Sequence, residues 1–153
     1  MGCDIHVFKE YRIPNTERWL SFDTWYQNED GDMSPMWRDD DPGRCYAAFG
    51  LLANVREDYP YGHEAKGMPE DVSNLVRMEY DSWGSDGHSH TYHSKLELNA
   101  MIVKLSILPM SDSDDIPRQK AYIFGLLRYL NDVPSPIDID KATDTRLVIW
   151  FDN

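Results

Sequence analysis

The run Leu147-Val148-Ile149-Trp150-Phe151, five large apolar residues in succession, constrains the fold of this chain more than any other segment. Successive side chains of a strand point to opposite faces of the sheet. A run without polar interruption therefore needs apolar cover on both sides, and Arg146 to Asp152 reads as a central strand. Residues 3 to 12 supply a neighbour, because Cys3, Ile5 and Val7 alternate with Asp4, His6 and Phe8 at the period of two that a sheet imposes. Ile13-Pro14-Asn15-Thr16 is turn chemistry, and Arg18 to Trp25 reads as the returning arm of an N-terminal β-hairpin. Pairing the first and last strands in the middle of the sheet brings Asp4, His6 and Asp152 into one neighbourhood.

Helical spacing supplies the cover. Arg44 to Val55 carries Ala48, Leu51, Leu52 and Val55 on one face. Ser94 followed three residues later by Glu97 is a capping box, opening a helix from Lys95 to Leu108 with Leu98, Met101, Ile102 and Leu105 as its apolar stripe. Pro117 opens another, with Ile123, Leu126, Leu127 and Leu130 facing inward and Val133-Pro134-Ser135-Pro136 ending it. Asp71 to Tyr80 suits a short helix or a strand equally. Residues 27 to 43 and Tyr59 to Pro69 read as loops, and Met110 to Ile116 as an acidic linker. The sum is one α+β domain over residues 1–153: a small, mainly antiparallel sheet with about three packed helices.

A chain of 153 residues, 41% of them hydrophobic, can bury a core holding roughly two thirds of its unfolded surface. The formal net charge of −12 repels phosphate backbones and anionic lipid, so direct nucleic-acid binding and membrane binding are not expected. A cationic partner, a bound metal, or an acidic surface that imitates DNA remains compatible with that charge. Two cysteines, Cys3 and Cys45, are too few for a disulfide scaffold and suit a reducing, cytosolic setting. No stretch approaches the ~20 apolar residues of a membrane span, and no basic-then-apolar leader opens the chain. Met1-Gly2 does not mark myristoylation, since position 6 is His rather than Ser or Thr.

Three of the five histidines fall between His88 and His93, behind Gly84, Asp86 and Gly87; His6 follows Asp4 at the start of the chain. Asp4 and His6, two apart on a strand, share a face and can reach one cation. Asp86, His88 and His90, on a glycine-bearing loop, can converge in the same way. If the two clusters meet, Asp4, His6, Asp86 and His88 form a mixed carboxylate–imidazole shell for a divalent ion, zinc or manganese first and iron after them. Such an ion lowers the pKa of a bound water for hydrolysis. His90 is then the general acid or base, and Asp86 a second catalytic candidate beside its ligand role.

The same residues also suit blander roles: a polar strand face for Asp4 and His6, and a loop that caps and packs round the Ser94 helix for the rest, with His93 part of that cap. A metal-free pairing of histidine with Cys3 as nucleophile is disfavoured, because the thiol should face away from His6. Arg38, Arg44 and Arg56 can hold an anion, but in so acidic a chain they are expected to pair with Asp39, Asp40, Asp41 or Glu57. Trp37, Tyr59, Tyr61 and Trp83 can stack on a ring and equally serve as packing. The acidic runs at 28 to 32, 39 to 41 and 112 to 115 read as solvated loops, and Asp30-Gly31-Asp32 lacks the ligand ladder of a calcium loop. The chain contains no HExxH, paired CxxC, phosphate-binding loop, dinucleotide fingerprint or nucleophile elbow.

Met1-Gly2-Cys3-Asp4-Ile5-His6, Arg44-Cys45-Tyr46-Ala47-Ala48-Phe49, Lys66-Gly67-Met68-Pro69-Glu70-Asp71-Val72-Ser73, Asp86-Gly87-His88-Ser89-His90-Thr91 and Val148-Ile149-Trp150-Phe151-Asp152-Asn153 follow one another in a distinctive order. In these motifs the chain resembles a family of small, uncharacterised proteins of tailed bacteriophages and prophages, over nearly its whole length. The resemblance implies expression in the cytoplasm of an infected bacterium and names no reaction. Its motifs include both histidine clusters. The leading expectation is a metal-dependent hydrolase of a phosphoester or nucleotide, the phosphate chemistry resting on the phage setting. The rival is a non-catalytic binding protein that inhibits a host enzyme or sequesters a host signalling molecule, a DNA-mimicking surface being one version of it.

Overall fold

A computed structural model of the chain describes residues 2–36, 43–109, 115–132 and 143–153. Trp37, Arg38, the Asp39–Asp41 run, the acidic linker as far as residue 114 and the Val133–Pro136 stop lie outside the described residues. A four-stranded antiparallel sheet runs in the order β2-β1-β6-β5, with β1 Asp4–Arg12, β2 Trp19–Ser21, β5 His88–Ser94 and β6 Thr145–Asp152. The first and last strands pair in the middle over their full length, from Asp4 opposite Asp152 to Tyr11 opposite Thr145.

Strand β6 is covered on both faces, as its unbroken apolar run requires. On one face Leu147, Ile149 and Phe151 join Ile5 and Val7 in the main core. That core also takes in α1 (Tyr46–Ala53), α3 (Lys95–Ile107) and α4 (Ile116–Leu130), through Phe49, Leu52, Leu98, Met101, Ile123 and Leu126. On the other face Val148 and Trp150 join Phe8 in a smaller core, closed by Val72 and by Val76, Tyr80 and Trp83 of α2 (Asn74–Trp83). Burying an aromatic or branched side chain this fully contributes roughly 1.5–3 kcal/mol, so Trp150, with no exposed surface, anchors the smaller core.

The capping box forms in full: Glu97 N–H donates to Ser94 Oγ at 3.1 Å, and Ser94 N–H donates to Glu97 Oε2 at 2.7 Å. Of the stretch Asp71 to Tyr80, Asn74 onward is helix and runs on to Trp83, with Val76, Tyr80 and Trp83 meeting the sheet; the α-helices therefore number four among the described residues. The returning arm of the hairpin is shorter than its sequence suggests. Asp23 Oδ2 accepts Lys9 N–H at 2.8 Å, occupying the donor that the next strand residue would need. Pairing stops at Ser21 and the chain leaves the sheet. Trp25–Gln27 (β3) instead pairs with Met33–Pro35 (β4) in a small ribbon that joins the end of the expected returning arm to the expected loop. Its turn is closed by Asn28, whose Oδ1 accepts from Asp30 and Asp32 N–H, and by Gly31 at φ +87°. No helix among the described residues is long and apolar enough to cross a membrane.

Candidate functional site

His6 and Trp150 are directly opposed in the sheet, so their side chains share a face; the ring centroids lie 5.8 Å apart. The C-terminal end of α2 sets Trp83 against the imidazole as well, at 4.2 Å. Asp152 follows Trp150 by two residues and so projects on the same face. Its Oδ2 lies 3.1 Å from His6 Nε2, and its Oδ1 accepts Asp4 N–H at 3.0 Å. A carboxylate only accepts, so Nε2 carries the proton and the Asp152 contact fixes the orientation of the ring. The pair is largely withdrawn from water, with 8% of the His6 and 17% of the Asp152 side chain exposed.

Strand β5 brings in the central cluster, and here expectation and structure part. The histidine-rich stretch is an edge strand rather than a loop. His88 opposes Phe151 and Thr91 opposes Ile149, so three steps on β5 span two on β6. This is a β-bulge, taken up at Ser89 with φ +51°. It reverses the phase: the His88 ring stacks near Phe151 at 6.3 Å, on the main-core face, with Nδ1 2.9 Å from Ser89 Oγ. His90 projects to the opposite face, with Tyr80 at 4.7 Å and Trp150 at 6.3 Å. Burial and the neighbouring His88 lower its pKa. Its main chain is held from the far side, where Gly67 N–H donates to His90 O at 2.7 Å.

The structure thus gathers His6, Asp152 and His90 round Trp150 and leaves the other predicted residues elsewhere. Asp4 is claimed by Arg44, whose Nη2 donates to its Oδ2 at 2.8 Å while Nε donates to Oδ1. That hydrogen-bonded guanidinium holds the carboxyl below its ordinary range. Asp86 is exposed at the end of a single 3-10 turn, Gly84–Asp86. Among the described residues no three His, Cys, Asp or Glu side chains stand together as a group that could hold a metal. The Asp4, His6, Asp86 and His88 shell is not assembled, because Arg44 occupies one ligand, the bulge turns away a second and a third faces solvent.

Cys3 is fully buried in the main core, across the sheet from His6, and burial pushes its thiol up. His93 is no cap. It is a strand residue facing α1, fully buried, with Nε2 2.9 Å from Leu52 O and its pKa pushed down to about 4 by burial. Tyr59 and Tyr61 stack on each other at 5.1 Å as buried packing. Arg56 donates to Asn153 Oδ1 at 3.0 Å, and of the partners foreseen for the arginines Asp39, Asp40 and Asp41 lie outside the described residues. An open cleft of about 480 Å³ lies beside the Asp4–Arg44 pair, lined by Arg44, Tyr46, Glu57, Tyr59, Asp115 and Arg118; His6 and His90 lie outside it. Pairing the two terminal strands was the signal that placed Asp152 near His6. The sequence alone marks Trp150 as core, and its place between the two imidazoles follows from the register. Comparison of the chain with protein-family models, curated proteins and solved structures gave no match.

Proposed function

We propose that this protein is a small hydrolase in which His6 and His90, on either side of Trp150, form the acid–base pair. The observation that carries the reading is the His6 Nε2–Asp152 Oδ2 contact at 3.1 Å, at one end of the sheet, with the His6 ring beside two tryptophans. A protonated His6 lies beside a carboxylate and is a paired charge, whereas a protonated His90 faces Tyr80 and Trp150, with no carboxylate among the described residues paired with its ring. His90 is therefore the base and His6 the acid. His90 takes a proton from water as the new bond to the ester centre forms. His6 gives one to the leaving oxygen as that bond breaks, and exchange with solvent restores both rings.

The substrate class is a phosphoester or nucleotide in the cytoplasm of an infected bacterium, on the strength of the phage resemblance. The metal-dependent form of the reading needs Asp4 released from Arg44 and His88 turned from Phe151; the metal-free form needs neither and is the one this geometry favours. Turnover of a panel of phosphoesters and nucleotides tests it, with chelator and with added zinc or manganese. His6→Ala and Asp152→Asn are each expected to lower kcat by about a hundredfold or more, with chelator having no effect. Wild-type turnover that both substitutions leave intact, or no turnover across the panel, overturns the proposal. Turnover that requires an added ion restores the metal-dependent form.

The rival, a binding protein that inhibits a host enzyme, has one structural observation in its favour. Leu96, Val103 and Ile107 lie at helical spacing on the outer face of α3 with 58%, 62% and 78% of their surface exposed. Val103→Glu leaves the His6–Asp152 contact untouched and would abolish inhibition of that enzyme.

A further inference from the structure

Gly87 leaves a niche about the size of one oxygen atom on the α2 side of the sheet. A Cβ placed on it would lie 3.4 Å from His90 Nε2, Trp150 Cδ1 and Trp83 Cβ, the nearest heavy atoms outside its chain neighbours. The backbone does not ask for glycine, because Gly87 has φ −80° and ψ 131°, open to any residue. What the missing side chain leaves is space, and its walls are chemically specific. His90 Nε2 and Trp150 Nε1, the atom bonded to that Cδ1, are both buried and have no hydrogen-bond partner among the described residues. Buried polar atoms are almost always satisfied. Here a donor-only indole N–H and an imidazole nitrogen are left together beside the same small space.

We propose that the Gly87 niche binds one hydroxyl oxygen, which accepts from Trp150 Nε1–H and donates to His90 Nε2. A hydroxyl meets both demands at once because it carries a proton and lone pairs on one atom. With the ring proton on Nδ1, as a base acting through Nε2 requires, a carbonyl lacks the proton and an ammonium lacks the lone pair. The source is water or the hydroxyl of a small alcohol. Only the role of this oxygen rests on the hydrolase reading, in which it is the water that His90 deprotonates; the binding itself does not.

The test is NMR of the 15N-labelled protein, with the Trp150 indole resonance assigned through Trp150→Phe. In the wild type the indole N–H is expected to show a cross-relaxation peak to a long-lived water. If the site prefers an alcohol, the resonance shifts on titration with methanol. Gly87→Ala fills the niche without backbone strain and is expected to remove either signal while leaving the melting temperature within a few degrees. His90→Leu removes the acceptor and keeps the glycine, so it tests the same contact should Gly87→Ala fail to fold, and the signal must weaken. The inference is overturned if the wild type shows neither signal, or if the signal persists in whichever of the two variants folds. Because the readout is a resonance, an occupied niche in a protein without turnover discards the hydrolase alone. Turnover with an empty niche discards the niche alone.

Discussion

Glu10 of β1 and Arg146 of β6 stand directly opposite each other in the sheet and close an ion pair at 2.9 Å with 0% and 6% of their side chains exposed. The pair is well supported: Ser73 N–H donates to Glu10 Oε1 at 2.8 Å, Arg146 Nη1 reaches Asp71 Oδ1 at 2.8 Å, and the guanidinium lies 3.9 Å from the Trp19 ring centroid. Removing Glu10 takes the fully buried carboxylate from Arg146 and leaves the guanidinium only the half-exposed Asp71. Glu10→Gln is expected to cost about 3 kcal/mol, and the double replacement Glu10→Leu with Arg146→Met to recover much of it. Urea unfolding of the three proteins checks this; equal losses for the single and the double variant would refute it.

The buried His93 makes the fold acid-labile. Its pKa lies near 4 in the folded protein and near 6.5 when unfolded, so the unfolded chain takes up the proton first as pH falls. Stability is complete above about pH 6.5 and is lost progressively down to about pH 4, by on the order of 3 kcal/mol from this residue. His63 and His90 are shifted the same way by burial and add to the loss, while Glu97, held below its ordinary range by Lys66 and Ser94, extends it to lower pH. His93→Gln keeps a donor for Leu52 O and should flatten the slope between pH 7 and 4.5 in urea-unfolding experiments without abolishing it.

Two glycines within helices should respond oppositely to alanine. At Gly50 of α1 an added Cβ would sit 2.3 Å from the Glu57 carbonyl oxygen, so Gly50→Ala forces the loop after α1 outward at a cost of about 2–3 kcal/mol. At Gly125 of α4 nothing lies within 4 Å. Gly125→Ala there should stabilise by about 0.5–1 kcal/mol, through the smaller entropy lost on folding. Thermal melts of the two variants give the signs directly.

Ser94→Ala removes the hydroxyl that accepts Glu97 N–H and leaves only the other half of the box, the residue-94 backbone N–H donating to Glu97 Oε2. A loss of about 1 kcal/mol is expected. Faster amide exchange should be confined to the first turn of α3.

The elements that read clearly from the chain are those whose signals are local and redundant. The Leu147–Phe151 run demanded a doubly covered strand, the Ser94–Glu97 spacing demanded a helix start, and the alternation after Cys3 demanded a partner for that strand. Elements defined by a single side chain did not read. Asp23 ends β2 by taking one backbone donor, and the β3–β4 ribbon of three-residue strands depends on the Asn28 turn rather than on any apolar pattern. The histidine stretch reads as a loop although it is a strand, because its polar residues give no hydrophobic alternation and its glycines suggest a turn. At the site, strand pairing placed Asp152 beside His6, but nothing in the order of residues shows that Arg44, forty positions away, claims Asp4.

The bulge in β5 can also be counted in residues. The strand carries one more residue than its partner β6 requires between His88 and Thr91, and Ser89, in its left-handed conformation, is the surplus. Deleting Ser89 would let β5 run in regular register and still leave His88 and His90 on the faces they now occupy. Deleting Thr91 or Tyr92 would exchange inside for outside along the strand. In this stretch, tolerance to a length change at one position and intolerance at its neighbours follow from whether the count is odd or even.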